Sequence, residues 1–368
     1  TDASGQRRTY SYDVFGHLVK KTDEDGYETL YTTDAAGDLT GITYADGTRT
    51  DYRYDACHRL TEFTDGSGTT RIRMDGAGRP TLVTDPQGRQ VSYTYGSAGE
   101  RTSVTYPDGK CVRYTYDAFR NITETADGMQ KVSYAYDENG RLTGKSFPDG
   151  CGTSFEYLQG GDLRSLTHMD REGILDRYVY RYDERHNRTG IHRDRRGMPE
   201  VSGDYAYTYD PLSRLTGVMK DGIPEHSYSY DPYGNRSSEL SGDTARSYSY
   251  DPAGRLKEMV ERVPSAGDLC LQYHYDRRGN LSGITRDGKE EKKFLYGPAG
   301  ELREFTDAAG RHKSYRYNGL GFRTEEETPE GKVRFITDIT RGFHNLLSAE
   351  AEGSVTDYTW DYDVLSMS

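Results

Sequence analysis

The sequence has 368 residues, of which 33% are hydrophobic, 29% are charged and 42 are glycine, with a mean hydropathy of -0.93. Such a polar composition approaches that of disordered chains, but the 33 tyrosines argue against disorder, because tyrosine favours strands and buries its ring. The net charge of -12 argues against nucleic acid and anionic membranes as partners, and no run of 18 apolar residues is present to span a bilayer. These observations predict a folded, β-rich protein with a thin core.

The first residues already belong to a repeating pattern. TDASGQRRTYSYD at Thr1 matches TDPQGRQVSYTYG at Thr84 and TDAAGRHKSYRYN at Thr306. We therefore expect the chain to be a piece of a longer protein, so the lack of a signal peptide carries no information about the parent.

A Tyr-x-Tyr pair, or a variant of it, recurs every 20 to 27 residues and defines fifteen units. The second position of each pair falls at Tyr12, Thr33, Tyr54, Met74, Tyr95, Tyr116, Tyr136, Tyr157, Tyr182, Tyr209, Tyr230, Tyr250, Tyr275, Tyr296 and Tyr317. Strand residues two apart face the same side, so each pair places both rings on one face of a strand.

Each unit also predicts two tight turns. After the tyrosines, an Asp and a Gly three residues later form the first turn, because Asp bonds the backbone ahead of it and Gly accepts positive φ. Arg-Leu-Thr or a variant then opens the returning strand. The second turn is an Asp-Gly pair, a strong hairpin signal, at Asp25, Asp46, Asp65, Asp108, Asp127, Asp149, Asp221 and Asp287.

We take the recurrent Tyr, Asp and Gly positions as a structural signature of the repeat. Its members are Tyr10, Tyr12, Asp13, Gly16, Tyr52, Tyr54, Asp55, Tyr114, Tyr116, Asp117, Tyr134, Tyr136, Asp137, Gly140, Tyr207, Tyr209, Asp210, Tyr228, Tyr230, Asp231, Gly234, Tyr248, Tyr250, Asp251, Gly254, Tyr273, Tyr275, Asp276 and Gly279.

Two antiparallel strands per unit predict about thirty strands in an all-β fold, a long, curved, spiralling antiparallel sheet of the β-solenoid kind. The rhythm lengthens at 158–209 and 255–275, where we expect the extra residues to lie in loops at one edge. Residues 1–331 form the repeat array, and 332–368 form a modified terminal layer that contains Trp360. The four cysteines predict free thiols, with a Cys111–Cys151 disulfide as the alternative.

The phrases YSYDPAGRL, YTYDPLSRL, YAYDENGRL and YHYDRRGNL resemble the YD repeats of bacterial Rhs polymorphic toxins. Related repeats occur in the C component of insecticidal toxin complexes and in teneurins. The resemblance covers residues 1–331, and the later segment DITRGFHNLL is similar to the region before the core domain of some Rhs proteins.

The resemblance implies a β-sheet shell that encloses a C-terminal toxin domain, in a protein that is secreted or exposed on a bacterial cell surface. No core domain or toxin is recognisable here, so the chain is expected to form part of the wall of the shell. Its expected partners are the enclosed toxin and neighbouring shell turns, without a cofactor and without enzyme activity.

Several motifs suggest chemistry, and each has a structural alternative. Asp-Pro-x-Gly at Asp85, Asp231 and Asp251 resembles the self-cleavage motif of the toxins' core domain, but similar turns without proline occur in other units. The Asp column lacks the converging oxygens of a calcium loop, and the nine histidines lack zinc spacing. The run Arg185–Arg196 is either a patch that binds nucleic acid or glycans or a solvated edge loop, and we favour the latter.

The main alternative function is carbohydrate binding by a cell-surface adhesin, because tyrosine rings beside Asp, Asn and Arg also suit sugars. We favour a structural role, since both Tyr columns are filled along nearly the whole array. A binding site would occupy a few units and vary in the others.

Overall fold

A computed structural model gives the fold of residues 1, 3, 5–341, 345–361 and 364–367, the last four as backbone only. The described residues form strands and turns without any helix, which confirms the predicted all-β class. The strands are β1(Thr9–Tyr12), β2(Leu18–Thr22), β3(Glu28–Thr33), β4(Leu39–Thr43), β5(Arg49–Tyr54), β6(Leu60–Asp65), β7(Gly68–Met74), β8(Pro80–Thr84), β9(Gln90–Tyr95), β10(Arg101–Thr105), β11(Cys111–Tyr116), β12(Ile122–Ala126), β13(Lys131–Tyr136), β14(Leu142–Ser146), β15(Gly152–Tyr157), β16(Leu163–Asp170), β17(Gly173–Tyr182), β18(Arg188–Arg195), β19(Gly203–Tyr209), β20(Leu215–Lys220), β21(Ile223–Tyr230), β22(Arg236–Ser241), β23(Thr244–Tyr250), β24(Leu256–Val263), β25(Gly267–Tyr275), β26(Leu281–Arg286), β27(Lys289–Tyr296), β28(Leu302–Asp307), β29(His312–Tyr317), β30(Arg323–Thr328), β31(Gly331–Asp338), β32(Asn345–Ala351), β33(Ser354–Trp360) and β34(Val364–Met367).

Neighbouring strands in the chain pair in antiparallel fashion, as in β5 with β6 and β6 with β7. The turns therefore alternate between two edges of the sheet. The turns after odd-numbered strands, which mostly follow a Tyr-x-Tyr pair, form what we call the Tyr-Asp edge. The turns after even-numbered strands form the Asp-Gly edge.

The second tyrosine of a unit lies at a β-bulge. In β5 and β6, Arg53 pairs with Glu62 and Tyr54 pairs with Leu60, so Thr61 has no partner in the register. The Thr61 hydroxyl donates a hydrogen bond of 3.1 Å to the Arg53 carbonyl. This contact gives the Thr of Arg-Leu-Thr a structural use, since a bulge disrupts the ladder and strengthens the local twist.

Alternation of burial explains why the strands form where they do. In β5, Thr50 and Tyr52 are buried, whereas Arg49, Asp51 and Arg53 are exposed. Period-2 burial of this kind is typical of a sheet that covers a core with one face. Tyr52 pairs with Phe63, which is fully buried.

The chain divides into two compact units. The first contains residues 1–112, 251–255 and 271–368, and the second contains residues 113–250 and 256–270. In the first unit the core includes Phe63, Tyr93 and Val104. In the second it includes Tyr114, Ile122 and Val132. This division rests on compactness, so the predicted boundary between 1–331 and 332–368 stays a prediction.

The expectation of edge loops at the longer units is largely wrong. The extra residues lengthen the hairpins, giving β16 eight residues, β17 ten and β25 nine, and the β16–β17 turn contains only Arg171 and Glu172. Longer antiparallel strands satisfy each added backbone group in the ladder, which a loop does not. The expected two strands per unit are confirmed, since the fifteen units contain β1–β30, and the terminal segment adds β31 to β34.

The four cysteines form no disulfide in the part of the chain that the structure describes, and the Cys111–Cys151 alternative is wrong. No described helix has the length and apolar character needed to cross a bilayer.

Candidate functional site: the repeat turns and the seam

In most units an Asp organises the first turn, and Asp137 does so with both carboxylate oxygens. Asp137 Oδ1 accepts hydrogen bonds from the backbone N–H groups of Asn139 at 3.0 Å and Arg141 at 2.9 Å. Its Oδ2 accepts from Arg141 Nε at 2.7 Å. The backbone N–H of Gly140 donates to the Asp137 carbonyl at 3.0 Å and closes the turn. Asp137 thus uses both of its acceptor oxygens in the turn.

These hydrogen bonds hold the aspartates in the ionised form. The backbone N–H of Arg141 is the main cause of the lowered pKa of Asp137, against the opposing effect of burial. The Arg59 side chain is the main cause at Asp55, whose pKa falls to about 2. Hydrogen bonds to the charged form lower a carboxyl pKa in this way.

The Arg of one turn also reaches the second tyrosine of the next unit. The Arg141 guanidinium lies 4.6 Å from the centre of the Tyr157 ring, and the Tyr157 hydroxyl donates a 2.8 Å hydrogen bond to the Leu142 carbonyl. Asp137, Arg141 and Tyr157 therefore link two consecutive units through an ion pair, a cation–π contact and a backbone hydrogen bond. The same hydroxyl-to-carbonyl bond is made by Tyr95, Tyr136, Tyr182, Tyr209, Tyr230 and Tyr250.

The first tyrosine of a pair is the more deeply buried one in the units with the fullest core. Tyr52, Tyr114 and Tyr134 are buried, whereas Tyr54 and Tyr136 are half-buried. At the start of the chain both Tyr10 and Tyr12 are exposed. The remaining signature tyrosines are half-buried and lie in β11, β19, β21, β23 and β25: Tyr116, Tyr207, Tyr209, Tyr228, Tyr230, Tyr248, Tyr250, Tyr273 and Tyr275.

The Gly position of the turn has a left-handed backbone, for example a φ of +76° at Gly254. Gly16, Gly140, Gly234 and Gly279 share this conformation. The carboxylates of the other signature aspartates accept backbone N–H groups two and four residues ahead, as Asp137 does: Asp13, Asp55, Asp117, Asp210, Asp231 and Asp251; Asp276 accepts the N–H four residues ahead.

Two histidines occupy the Gly position, which sequence reasoning missed. His58 has a φ of +60° and its Nδ1 lies 2.7 Å from Asp38 Oδ2. His186 has a φ of +63° and its Nδ1 lies 2.7 Å from Asp162 Oδ2. Asp38 and Asp162 both stand where most units have Arg or Asn. When the units are aligned, each of these histidines stands at the Gly position of the unit that follows one with Asp at the fifth turn position. This pattern is the sequence signal for the two His–Asp pairs.

A contact between distant repeats lies within the first compact unit. The contact joins three consecutive turns of the Tyr-Asp edge to three turns of the Asp-Gly edge, and we call it the seam. The Tyr-Asp turns are residues 276–280, 297–303 and 318–322, and the Asp-Gly turns are residues 23–27, 44–48 and 65–67. Pairs that meet there are 254 and 257 residues apart in the chain. A contact at this separation leaves no signal in the repeat pattern, and we did not predict it.

The seam combines ion pairs with backbone hydrogen bonds. Arg278 Nε lies 3.0 Å from Asp25 Oδ2, and its guanidinium carbon lies 5.5 Å from the centre of the Tyr27 ring. Arg303 Nη1 donates to Asp46 Oδ2 at 2.8 Å. Burial opposes the charge of Asp46, but hydrogen bonds from Thr48 and Arg303 lower its pKa.

The third turn of the seam is held by backbone atoms. The Gly319 carbonyl accepts a 2.8 Å hydrogen bond from the Tyr52 hydroxyl, and the Gly319 N–H donates to Asp65 Oδ2 at 2.6 Å. A Cβ atom at position 319 would overlap the Thr50 side chain. Glycine is therefore required here because the Thr50 side chain comes so close. Its backbone conformation is not the reason, because its φ lies outside the left-handed region.

The segment after the seam packs on the face of the early strands. The Tyr93 hydroxyl donates to Asp338 Oδ1 at 3.1 Å, and Arg101 forms an ion pair with the other oxygen of this buried carboxylate. The Arg101 guanidinium lies 4.7 Å from the centre of the Tyr93 ring. Burial, reinforced by the charge of Asp338, raises the pKa of Tyr93 well above its ordinary value. Buried charges persist when they are paired and hydrogen-bonded, as here.

The motifs that suggested chemistry are accounted for by structural contacts. Asp85 of one Asp-Pro-x-Gly motif caps a turn of the Asp-Gly edge, whereas Asp231 and Asp251 cap turns of the Tyr-Asp edge. In the basic run, Arg193 and Arg195 pair with Asp176. His344 lies outside the described residues, and among the described ones no group of three His, Cys, Asp or Glu is arranged to hold a metal.

Comparisons with known proteins agree with the repeat geometry. An RHS repeat model matches residues 1–29, 34–70, 75–110 and 101–128. A teneurin YD-shell model matches residues 176–337. Together the two models match most of the chain, which therefore carries repeats of the RHS and YD-shell type.

Relatives of this YD-repeat chain are much longer proteins. The tRNA3(Ser)-specific nuclease WapA of Bacillus spizizenii is 27% identical over 163 residues, which are 39% of this chain and 7% of WapA. Teneurin-4 of Mus musculus is 30% identical over 139 residues, which are 37% of this chain and 5% of teneurin-4. A chain in a crystal structure of TcdB2-TccC3-TEV shares the fold with a TM-score of 0.65 and 14% identity, covering 97% of this chain and 21% of the other. The YD-repeat chain thus spans a small part of each relative.

Proposed function

We propose that this YD-repeat chain is a structural wall segment of a secreted, Rhs-type polymorphic toxin whose shell encloses a C-terminal toxin domain. The seam carries the proposal. There the chain meets its own repeats after 254 and 257 residues and binds them through ion pairs and backbone hydrogen bonds. Successive layers joined in this way make a continuous wall, which keeps proteases from an enclosed segment.

A wall needs no reactive group, and we assign this segment no catalytic residue, cofactor or enzyme activity. The recurrent Asp, Arg and Tyr side chains have structural partners within the repeats, as in the Asp137–Arg141–Tyr157 link. Because the chain spans 7% of the WapA relative, we place any toxin activity in another part of the parent protein. The segment's partners are then the toxin and the neighbouring shell turns, and its location is outside the cell or on its surface.

Within the segment, we propose that residues 1–331 supply the repeated wall and that residues 332–368 lead toward the core domain. The packing of Asp338 against Tyr93 and Arg101 supports a change of role near this boundary, because the chain there leaves the edge and covers a strand face.

A carbohydrate-binding adhesin remains the second candidate, which the contacts favour less. Sugar stacking needs free tyrosine faces, whereas arginines lie 4.6 Å from the ring centres of Tyr157, Tyr180 and Tyr230. Their guanidinium groups compete with a sugar for the ring.

Limited proteolysis of the full parent protein, followed by mass spectrometry, tests enclosure. We expect the segment after Ser368 to resist protease until mild denaturant opens the repeats. Arg278→Ala, which removes a seam ion pair, should advance its digestion, whereas Arg286→Ala, at an exposed pair outside the seam, should not. Immediate digestion of that segment beside intact repeats contradicts enclosure, and a glycan-array screen of the repeats then tests the adhesin alternative.

A further inference from the structure

Four arginines hold equivalent places in the repeat, and each lies over the first tyrosine of its unit. Each arginine directly follows the fifth residue of a Tyr-Asp turn and pairs in the register with the second tyrosine. Its guanidinium carbon lies 4.4 to 4.7 Å from the centre of the first ring. We call the side of the sheet that carries them the tyrosine face. The pairs are Arg101 on Tyr93, Arg188 on Tyr180, Arg236 on Tyr228 and Arg323 on Tyr315.

In two of these pairs the arginine binds a carboxylate of its own strand. Arg236 Nη1 donates to Glu239 Oε2 at 3.4 Å, and Arg323 Nη1 lies 3.9 Å from Glu326 Oε2. In both strands the glutamate stands three residues after the arginine. That position thus supplies the charge partner when it is acidic.

The other two pairs have an apolar residue at that position. Val104 stands three residues after Arg101, and Arg101 binds Asp338, a buried carboxylate from a distant segment. Ile191 stands three residues after Arg188, and Arg188 forms no ion pair with any residue that the structure describes. The equivalent positions therefore indicate that Arg188, like Arg101, takes a carboxylate from a segment distant in the chain.

The surroundings of Arg188 carry more positive than negative charge. On the tyrosine face of β17 to β20, Arg193 Nη2 and Arg195 Nη1 lie 3.0 and 3.5 Å from Asp176 Oδ2, so one carboxylate serves two guanidinium groups. Lys220 lies over a tyrosine ring of the same face. With Arg188, this face of the four strands has four cations and one anion.

The opposite face of the same strands is balanced in charge. Arg177 pairs in the register with Asp194, and Arg181 Nη1 lies 3.4 Å from Asp204 Oδ1. The excess of positive charge is therefore confined to the tyrosine face, although the whole chain has a net charge of -12. A local excess of one sign favours a partner surface of the other sign.

The tyrosine face is the side on which later parts of the chain lie. In the first compact unit the Tyr52 hydroxyl donates to the Gly319 carbonyl, and Asp338 packs on Tyr93. The repeat turn at Gly319 covers an apolar side chain, Phe63, whose ring would lie 3.3 Å from a Cβ atom at position 319. The charged face of β17 to β20 does not suit such a turn, because burial of charges without partners costs free energy.

We infer that Arg188 and Tyr180 bind a carboxylate from an acidic segment of the toxin domain that the shell encloses. The inference rests on the proposed function and adds the chemistry of the contact. The guanidinium group donates paired hydrogen bonds from its edge to the carboxylate while its face lies on the ring. Arg193, Arg195 and Lys220 attract further acidic side chains of the same segment.

Nucleic acid and anionic glycans suit this face less well. Both carry charge along their whole length, so the acidic remainder of the chain repels them. Sugar stacking also needs an open ring, and the Arg188 guanidinium lies 4.6 Å from the centre of the Tyr180 ring. A polypeptide segment avoids both penalties, because its acidic residues can lie only where the cations are.

Carbodiimide cross-linking of the full parent protein tests the contact. The reagent joins an amine to a carboxylate that touches it, and Arg188→Lys supplies an amine at the site while keeping the charge. We expect mass spectrometry to find residue 188 joined to an Asp or Glu of the segment after Ser368. Arg181→Lys, on the opposite face, is the matched control and should join Asp204 instead.

Binding of a short acidic probe to the 368-residue chain is a second measurement, which does not depend on enclosure. We expect an oligoglutamate of about ten residues to bind, and to bind more weakly as salt is raised. Arg188→Gln should weaken binding about fivefold, because an arginine–carboxylate pair is lost, whereas Arg181→Gln should change it by less than about twofold. Circular dichroism verifies that the variants are folded.

The outcomes separate this inference from enclosure itself. If the segment after Ser368 resists protease but residue 188 joins no carboxylate of it, enclosure stands and the inference is wrong. Cross-links from residue 188 to other repeats would assign the site to the wall and would also overturn it. Equal binding of oligoglutamate by Arg188→Gln and Arg181→Gln, or tighter binding of a heparin fragment or single-stranded DNA, contradicts the inference. Rapid digestion of the segment without a cross-link overturns both proposals.

Discussion

The Glu100 carboxylate lies in front of Gly96, in the space that a side chain at position 96 would occupy. Most units have Asp at the first position of this turn and Arg or Asn at the fifth, whereas this unit has Gly and Glu. The carboxylate of this turn thus comes from its fifth residue and not from its first. Gly297 and Glu301 repeat the arrangement.

Because the carboxylate has moved from position 96 to position 100, we predict that substitutions at these two positions have coupled effects on stability. Gly96→Asp alone should lower the free energy of unfolding by about 1–3 kcal/mol, because two carboxylates would compete for one site. Adding Glu100→Arg restores the Asp and Arg of other units and should recover most of the loss. Urea unfolding of the double-mutant cycle measures the coupling.

The control for this cycle is Gly76→Asp, in a turn where a Cβ atom has no neighbour within 4 Å. It should change stability by less than about 1 kcal/mol. Equal losses for Gly96→Asp with and without Glu100→Arg would contradict the exchange.

Gly254→Val should lower the free energy of unfolding by about 1–3 kcal/mol, because a β-branched residue is strained in the left-handed region. The backbone φ there is +76°, and a Cβ atom at this position would meet no neighbour within 4 Å, so strain is the only cost. Thermal and urea unfolding measure it. Gly160→Val, also unobstructed but outside the left-handed region, should cost less. An unchanged melting temperature for Gly254→Val would contradict the turn assignment.

Arg278→Ala should destabilise the first compact unit by about 2–4 kcal/mol, because Asp23 and Asp25 would lose their shared cation. Arg278 is only 10% exposed and Asp23 6%, so solvent replaces the lost partner poorly. Urea unfolding measures the change, and protease cleavage near residues 23–27 should accelerate. Arg286→Ala, 51% exposed, should cost less than about 1 kcal/mol. Equal losses of stability in Arg278→Ala and Arg286→Ala would contradict a special stabilising role of the seam.

The His58–Asp38 pair predicts a pH dependence. The hydrogen bond to Asp38, followed by the attraction of its charge, raises the pKa of His58. A raised folded pKa contributes stability that is present below the unfolded value, about 6.5, and lost as the pH rises through the folded value. The wild type should therefore exceed Asp38→Asn in stability near pH 6 and match it near pH 9.

Urea midpoints at the two pH values, with an NMR titration of the His58 ring, measure this effect. Asp243→Asn, at an exposed turn residue, serves as the control and should differ from the wild type equally at both pH values. If the difference in stability between the wild type and Asp38→Asn grew as the pH rises, that result would contradict the predicted effect of the His58–Asp38 pair.

Local structure was predictable because its causes are local. The positive φ of Gly254 and the Asp137 hydrogen bonds depend on residues within one turn, and period-2 alternation places Tyr52 on the buried face. The longer hairpins were missed because a repeat of unusual length does not reveal whether strand or loop absorbs the added residues. The His58–Asp38 pair was missed because its members lie in different units.

What the sequence by itself determined is therefore the unit: two strands, two turns and a link to the next unit, all made by residues within one repeat or between neighbours. Only the tertiary structure decided that Gly319 meets Tyr52 and Asp65, and that Tyr93 and Arg101 meet Asp338. Those contacts depend on twist and curvature added up over many strands. No single repeat encodes that sum, because a small change in each unit moves the partner by a whole turn.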